Sequence, residues 1–323
     1  MNTKARIGGP DNRRLFSCAW PIKLFMCSFR FNYHKGAVNN ASPDASPALF
    51  AVTYPAVLAG HRHLRATRGQ PAYAYPGGGG AFNGKGFDTC SAPSTSQMQA
   101  WWSNTPWSWV GIYIGGGVRA CSQPNLTSAW MNTTAAQGWR HMLIWVGPQA
   151  PCTSFSSRVS YDTATAYQQG KDEATKAYNA LIALGFTNNA AGTPVVYDME
   201  GYTNDSSCRA AVKSFMLGWV DQLAVAPAQV AGVYGSACNS YLNDLAVIAR
   251  PPKFIWAANW DGNTSTSTLS CVSGSYWAAH QRLKQYQGDH NETWGGVTLN
   301  IDSNCANGPV APTGALNSGS LCN

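Results

Sequence analysis

The chain has 323 residues, 45% of them hydrophobic and only 11% charged, with thirteen Trp and fourteen Tyr. No apolar run reaches the roughly 18 residues that a membrane-spanning helix needs, which excludes an integral membrane segment. The net charge of +7 is unevenly spread: residues 1–80 hold ten Lys/Arg against two Asp, whereas residues 81–323 hold twelve against thirteen acids. The larger part therefore lacks the basic face that nucleic acid requires, and no nucleic-acid partner is expected.

Residues 1–80 read as a leader or disordered extension. Arg13 and Arg14 precede LFSCAWPIKLFMCSF, which faintly resembles a twin-arginine export signal, although Lys23 interrupts the apolar part. A Pro/Gly-rich linker, GQPAYAYPGGGG, spans 69–80 and separates the extension from a domain over 81–323.

Within that domain, short β-branched and aromatic runs end in Gly, Asp or Asn and give way to helical stretches. Strands are expected at 85–90, 108–116, 140–148, 193–202, 229–236, 253–262, 282–289 and 297–304. The clearest helices are at 161–185, with Gly185 as its C-terminal stop, and at 208–224. Shorter ones are expected at 94–104, 126–139 and 240–250, and the helical signal fades after the sixth strand. This rhythm predicts an α/β fold, a (β/α)8 TIM-like barrel irregular in its last helices. A doubly wound open sheet is the alternative, but no GxGxxG follows the first strand to mark a dinucleotide site, and no cofactor is expected.

A barrel carries its chemistry at the C-terminal ends of its strands. Asp88 lies near the end of the first strand, Asp198 and Glu200 at the end of the fourth (PVVYDMEGYT), and Asp302 near the end of the eighth. Residues i and i+2 of a strand share a face, so Asp198 and Glu200 project together. In a closed barrel the first and eighth strands are neighbours, which brings Asp88 to Asp302. Clustered acids raise one another's pKa and favour one protonated and one ionised carboxyl, the pairing that glycosidic cleavage uses. The structural alternative is that these acids accept loop amides or bind a cation. Aromatics fall at the same ends: Tyr113, Trp145, Tyr202, Tyr234, Trp256, Trp260 and Tyr286. Their flat faces suit sugar rings, and Asn259, Gln285 and Asn304 add amides able to bind hydroxyls. His141, His280 and His290 show no ligand spacing, so no metal is expected.

Eight scattered cysteines follow residue 85 without any CxxC spacing, which reads as disulfides in an exported protein. Cys90, Cys121, Cys152, Cys208, Cys238, Cys271 and Cys305 all follow expected strand ends. Bridging the loops of adjacent strands predicts Cys121–Cys152 and Cys208–Cys238, and leaves the others unassigned.

GFDTCSAPS at 86–94, VVYDMEGY at 195–202, GVYGS at 232–236, FIWAANWDG at 254–262, KQYQGD at 284–289 and NIDSN at 300–304 occur in register. Over roughly residues 84–310 the chain thereby resembles the glycoside-hydrolase-like domain of exported actinobacterial proteins, itself similar to the family 25 lysozymes. The resemblance implies Glu200 as general acid, Asp198 as its supporting carboxylate, and Asp88 and Asp302 as flanking acids. It also places Tyr234, Trp256 and Gln285 in cleft-lining motifs. The expectation is a secreted, monomeric glycoside hydrolase acting on a cell-wall polysaccharide such as peptidoglycan. The alternative is a non-catalytic, wall-glycan-binding barrel.

Overall fold

A computed structural model describes Tyr75, residues 77–312 and Cys322. The leader and linker expected over 1–80 lie outside the described residues apart from Tyr75 and 77–80. The strands are β1 (Gly80–Asp88), β2 (Trp109–Gly115), β3 (Arg140–Trp145), β4 (Pro194–Asp198), β5 (Val230–Ser236), β6 (Phe254–Ala258), β7 (Arg282–Trp294) and β8 (Val297–Val310). They form a closed barrel in sequence order. The helices are α1 (Thr95–Trp102), α2 (Ser128–Gln137), α3 (Thr163–Ala183), α4 (Ser206–Leu223) and the single turn α5 (Leu242–Leu245). None of them is long and apolar enough to cross a membrane.

The helices begin where side chains can cap them. Ser94 and Gln97 form a reciprocal capping box at α1, and Asp162 and Asp205 accept the free amides at the starts of α3 and α4. Gly138 and Gly185 follow α2 and α3 with positive φ (115° and 83°), the left-handed stop that glycine supplies without strain. The helix expected over 240–250 shrinks to α5.

Inward and outward residues alternate along each strand. Phe82, Trp109, Met142, Ile144, Val196, Phe254, Trp256 and Leu283 fill the barrel interior. The outward residues pack beneath the helices, as when Tyr197 meets Phe215 and Trp219 of α4. At Gly111 an added Cβ would fall 2.7 Å from the Asp88 side chain and 2.8 Å from the Trp256 ring, so the bare backbone leaves room for both.

The regular alternation stops after β6. No described helix lies between β6 and β7; Arg282, reaching out from β7, pins that long loop by donating to the carbonyls of Thr266, Ser267, Ser273, Gly274 and Tyr276. Lys284, also buried and outward, pairs with Asp261 at 2.8 Å. β7 and β8 are then joined directly. Gly295 and Gly296, both with positive φ (56° and 78°), make the two-residue turn of a tight hairpin. That turn reverses the last strand of the expected barrel: β8 runs antiparallel to β7 and to β1. Both strands are longer than expected because their outer halves pair with each other above the barrel.

The disulfides also correct the expectation. Cys90 joins Cys121, Cys152 joins Cys208, Cys238 joins Cys271 and Cys305 joins Cys322. Adjacent strands' loops are indeed bridged, but in the pairs β1–β2, β3–β4 and β5–β6. The proposed Cys121–Cys152 and Cys208–Cys238 were one strand out of phase, since Cys90, the first member of the series, had been left unpaired. Cys305 lies within β8 rather than in a loop. Non-reducing peptide mapping is expected to return these four linkages. Replacing both Cys90 and Cys121 by Ala, which opens a loop with a sequence separation of 31, should lower unfolding stability measured in denaturant by about 3 to 4 kcal/mol.

Candidate active site

The β1–β8 register sets Asp88 directly opposite Asp302. Although β8 runs the other way, its strand enters the barrel from the side where β1 leaves it. Asp302, the sixth residue of a 14-residue strand rather than its end, therefore still reaches the same rim. Both acids share one donor: Gln285 Nε2 lies 3.0 Å from Asp88 Oδ2 and 3.0 Å from Asp302 Oδ2. Asn304 Nδ2 adds a 2.7 Å bond to Asp88 Oδ2, and the Asp289 amide donates to Asp302 Oδ1.

Chemistry fixes which way these amides face. Gln285 Oε1 accepts from the Trp260 indole N–H at 2.9 Å and from the Tyr234 hydroxyl at 2.9 Å. Asn304 Oδ1 accepts from the Trp256 indole at 2.9 Å. An indole nitrogen can only donate, so each amide must turn its NH2 toward the acids.

Asp198 is the last residue of β4 and is 3% exposed, while Glu200 lies beyond the strand end and reaches solvent. No donor reaches the buried Asp198 Oδ1. The Asp198 and Glu200 carboxyls interact directly, and each shifts the other's affinity for a proton. Burial, then the Glu200 and Asp88 charges, hold the Asp198 carboxyl well above the usual carboxylate range. Glu200 is raised by the crowding of protein around it and by Asp302, and lowered by its bond to Asp198. The buried Asp198 carboxyl therefore favours its protonated form more strongly than the solvent-facing Glu200.

Across the cleft, burial and then the Asp302 charge push Asp88 well up. Burial raises Asp302, opposed by the Asp289 amide. The Tyr113 and Tyr234 hydroxyls face all or most of these acids and are pushed well up by burial first, so both stay protonated donors. No three of these or any other His, Cys, Asp or Glu side chains among the described residues converge as ligands of a metal ion. A recess of about 110 Å³ lined by Ala174, Tyr178, Leu223 and Pro227 lies at the far end of the barrel and has no acid in its lining.

The cleft thus brings together Asp88, Asp198, Glu200, Asp302, Tyr113, Tyr234, Gln285 and Trp260. The last is 59% exposed, and its ring lies against Gly288, where an added Cβ would come within 2.5 Å. Other aromatics and amides expected there sit elsewhere. Trp256 is buried beneath the cleft, in edge contact with Trp109 and Tyr234, and reaches the acids only through Asn304. Tyr202 packs on Tyr241 and donates to the Ser240 carbonyl. Tyr286 points outward, as the neighbour of an inward Gln285 must, and packs in the core outside the barrel. Asn259 ties its own loop, bonding Asp261 at 2.7 Å and the Ser270 amide at 2.6 Å. Trp145 turns outward to Glu173. Gln149, which no motif flagged, contacts the backbone on both sides of Met199.

A family model described as the Rv2525c-like, glycoside hydrolase-like domain matches residues 99–306. Among solved structures, the Tat-secreted protein Rv2525c of Mycobacterium tuberculosis, in complex with HEPES, is 15% identical, with 69% of this chain and 95% of that chain covered and a TM-score of 0.44. A muramidase from Acremonium alcalophilum is 18% identical, with 69% and 93% covered and a TM-score of 0.42. The spore cortex lytic enzyme SleM of Clostridium perfringens is 13% identical, with 69% and 67% covered and a TM-score of 0.42. No curated protein sequence matches.

Asp88 and Asp198, and less strongly Glu200 and Asp302, hold protons more tightly when folded than when unfolded. Their contribution to stability is complete below the unfolded value of about 4 and is lost as pH rises through the raised folded values. Melting temperature by calorimetry is therefore expected to rise on acidification from pH 8 to 5, with a shallower slope in Asp198→Asn. An unchanged slope in that variant would mean that Asp198 does not hold the proton.

Proposed function

The chain belongs to the family of Rv2525c-like, glycoside hydrolase-like domains, and from that premise we propose that it is an exported glycoside hydrolase of cell-wall polysaccharide, of the peptidoglycan kind. The observation that carries this reading is the placement of Asp198 and Glu200 at the end of β4, on the rim that also holds Asp88 and Asp302. Glycosidic cleavage needs one carboxyl able to give a proton and one able to stay ionised beside the developing positive charge. Glu200, the member open to solvent, takes the Asp198 proton and delivers it to the glycosidic oxygen as the bond from that oxygen to the anomeric carbon breaks; water then adds to that carbon and returns a proton to Glu200. Asp198 is left ionised below the sugar and supports the oxocarbenium-like charge.

Trp260 offers an exposed ring at the rim, held in place by its bond to Gln285. It serves as a platform for an apolar sugar face, while the Tyr113 and Tyr234 hydroxyls and the Gln285 amide supply polar partners below it. The disulfides support export, since such bonds persist in oxidising compartments.

Released reducing ends from peptidoglycan and from arabinogalactan provide the assay. Glu200→Gln is expected to lower kcat by about 10² to 10⁴, the contribution of a general acid. Equal activity in wild type and variant, or none in the wild type on any wall polymer, would overturn the reading in favour of a glycan-binding barrel. Trp260→Ala should weaken binding to insoluble wall about five- to tenfold, in line with about 1 to 1.5 kcal/mol for one aromatic contact, while leaving the fold intact by circular dichroism.

A further inference from the structure

We propose that Gln149 is a positioning residue for the Asp198–Glu200 pair, its side-chain amide standing in for a missing rung of the β3–β4 ladder. This assignment rests on the hydrolase reading above.

The register of β3 with β4 ends at Trp145 opposite Tyr197. Beyond that point the β3–β4 ladder stops, while the Val146 amide still bonds Gly115 of β2. The chain of β4 continues, however, and the Asp198 carbonyl and the Glu200 amide have no strand beside them on that flank. Gln149 fills the gap. Its Nε2 donates to the Asp198 carbonyl at 2.8 Å, and its Oε1 accepts from the Glu200 amide at 2.8 Å. One donor and one acceptor flanking Met199 is the pattern by which a residue of a parallel strand bonds its neighbour. On the opposite flank, Met199 donates to the Tyr234 carbonyl and accepts from Ser240 Oγ, both at 3.0 Å. The Asp-x-Glu tail is thus held as a central strand although Met199 and Glu200 lie outside β4.

The clamp is itself fixed. Gln149 is 1% exposed, and its Nε2 also donates to the Gly147 carbonyl at 3.1 Å. Its amide donates to the Ser157 carbonyl at 3.0 Å, and its own carbonyl accepts from the Val159 amide at 2.8 Å. The Tyr197 hydroxyl bonds the Pro148 carbonyl at 2.7 Å. Three residues on, the Cys152–Cys208 disulfide ties this loop to α4, the helix that follows Glu200. The two ends of the segment carrying the acids are therefore anchored to the same loop. Gln149 makes its polar contacts with backbone and none with the carboxyls. Its role is to set where Glu200 leaves the strand, and so how its carboxyl meets Asp198.

Gln149→Met keeps the side-chain length but removes both bonds. In the purified full chain it is expected to lower kcat on peptidoglycan by about ten- to a hundredfold, the cost of a small misplacement, with KM within about twofold. The carbon-13 NMR titration of the Glu200 carboxyl should shift as its contact with Asp198 changes. Asp88, Asp302, Tyr113 and Tyr234, which face the same pair, are untouched in this variant. Gln149→Glu retains the acceptor for the Glu200 amide and regains a donor only when its new carboxyl is protonated. Its activity and its Glu200 titration should therefore approach wild type at acidic pH, and it carries the test if Gln149→Met does not fold. A folded variant with a lower melting temperature but unchanged kcat and unchanged Glu200 titration would overturn the proposal. A wild type inactive on every polymer would remove the hydrolase reading alone, since the NMR titration still decides whether Gln149 positions the pair.

Discussion

An eighth strand running against both its neighbours closes this barrel, and the arrangement of the cleft follows from that closure. With β8 paired to β7 and β1, no sheet edge is left open and every strand has a partner on each side. The same pairing sets Asp302 opposite Asp88 and Gln285 opposite Asn304. Two acids and two amides are thereby placed at successive levels of the barrel by backbone register, before any side chain makes a choice. Below them, Trp256 and Trp109 fill the barrel and keep water out, so the acids above have a floor of low polarity.

That floor makes charge costly. Four carboxyls at one end of a packed barrel cannot all be ionised without penalty, and the structure answers in two ways. On the β1–β8 side, amides whose orientation is locked by indole donors turn their NH2 groups to Asp88 and Asp302. On the β4 side no donor reaches Asp198 Oδ1, and burial beside Glu200 pushes that carboxyl well up. One half of the site is solvated by protein dipoles and the other favours a protonated carboxyl.

Loops carry the rest of the construction. Disulfides between the loops of successive strands staple the rim in pairs from β1 to β6. Where helices are missing, after β6, Arg282 replaces one by holding carbonyls of the loop that would otherwise lack donors. Gln149 applies the same device at smaller scale beside the acids. In each case a buried side chain with several donors or acceptors takes over backbone bonding where regular secondary structure ends.

Much was legible in the chain. Runs of β-branched and aromatic residues gave all eight strands in order, and the spacing of Asp198 and Glu200 placed them on one side of a strand end. Period-two alternation is local, and so is the capping chemistry of Ser94, Asp162 and Asp205. The direction of β8 was written in the sequence as Gly295-Gly296, between two strands with little helical signal to separate them. Other features depended on contacts distant in sequence. Whether an aromatic near a strand end faces the cleft or the helices is decided by one residue of register, which separates Gln285 from Tyr286. Which cysteine pairs with which depends on how loops lean together, and the clamp of Gln149 on Asp198 and Glu200 spans about fifty residues of chain. The sequence by itself determined the strands, their order and the identity of the acids, because these follow from local periodicity and residue chemistry. Only the tertiary structure decided the sense of the closing strand, the disulfide pairing and the partners that set each acid's proton, because those depend on groups that meet only once the barrel has closed.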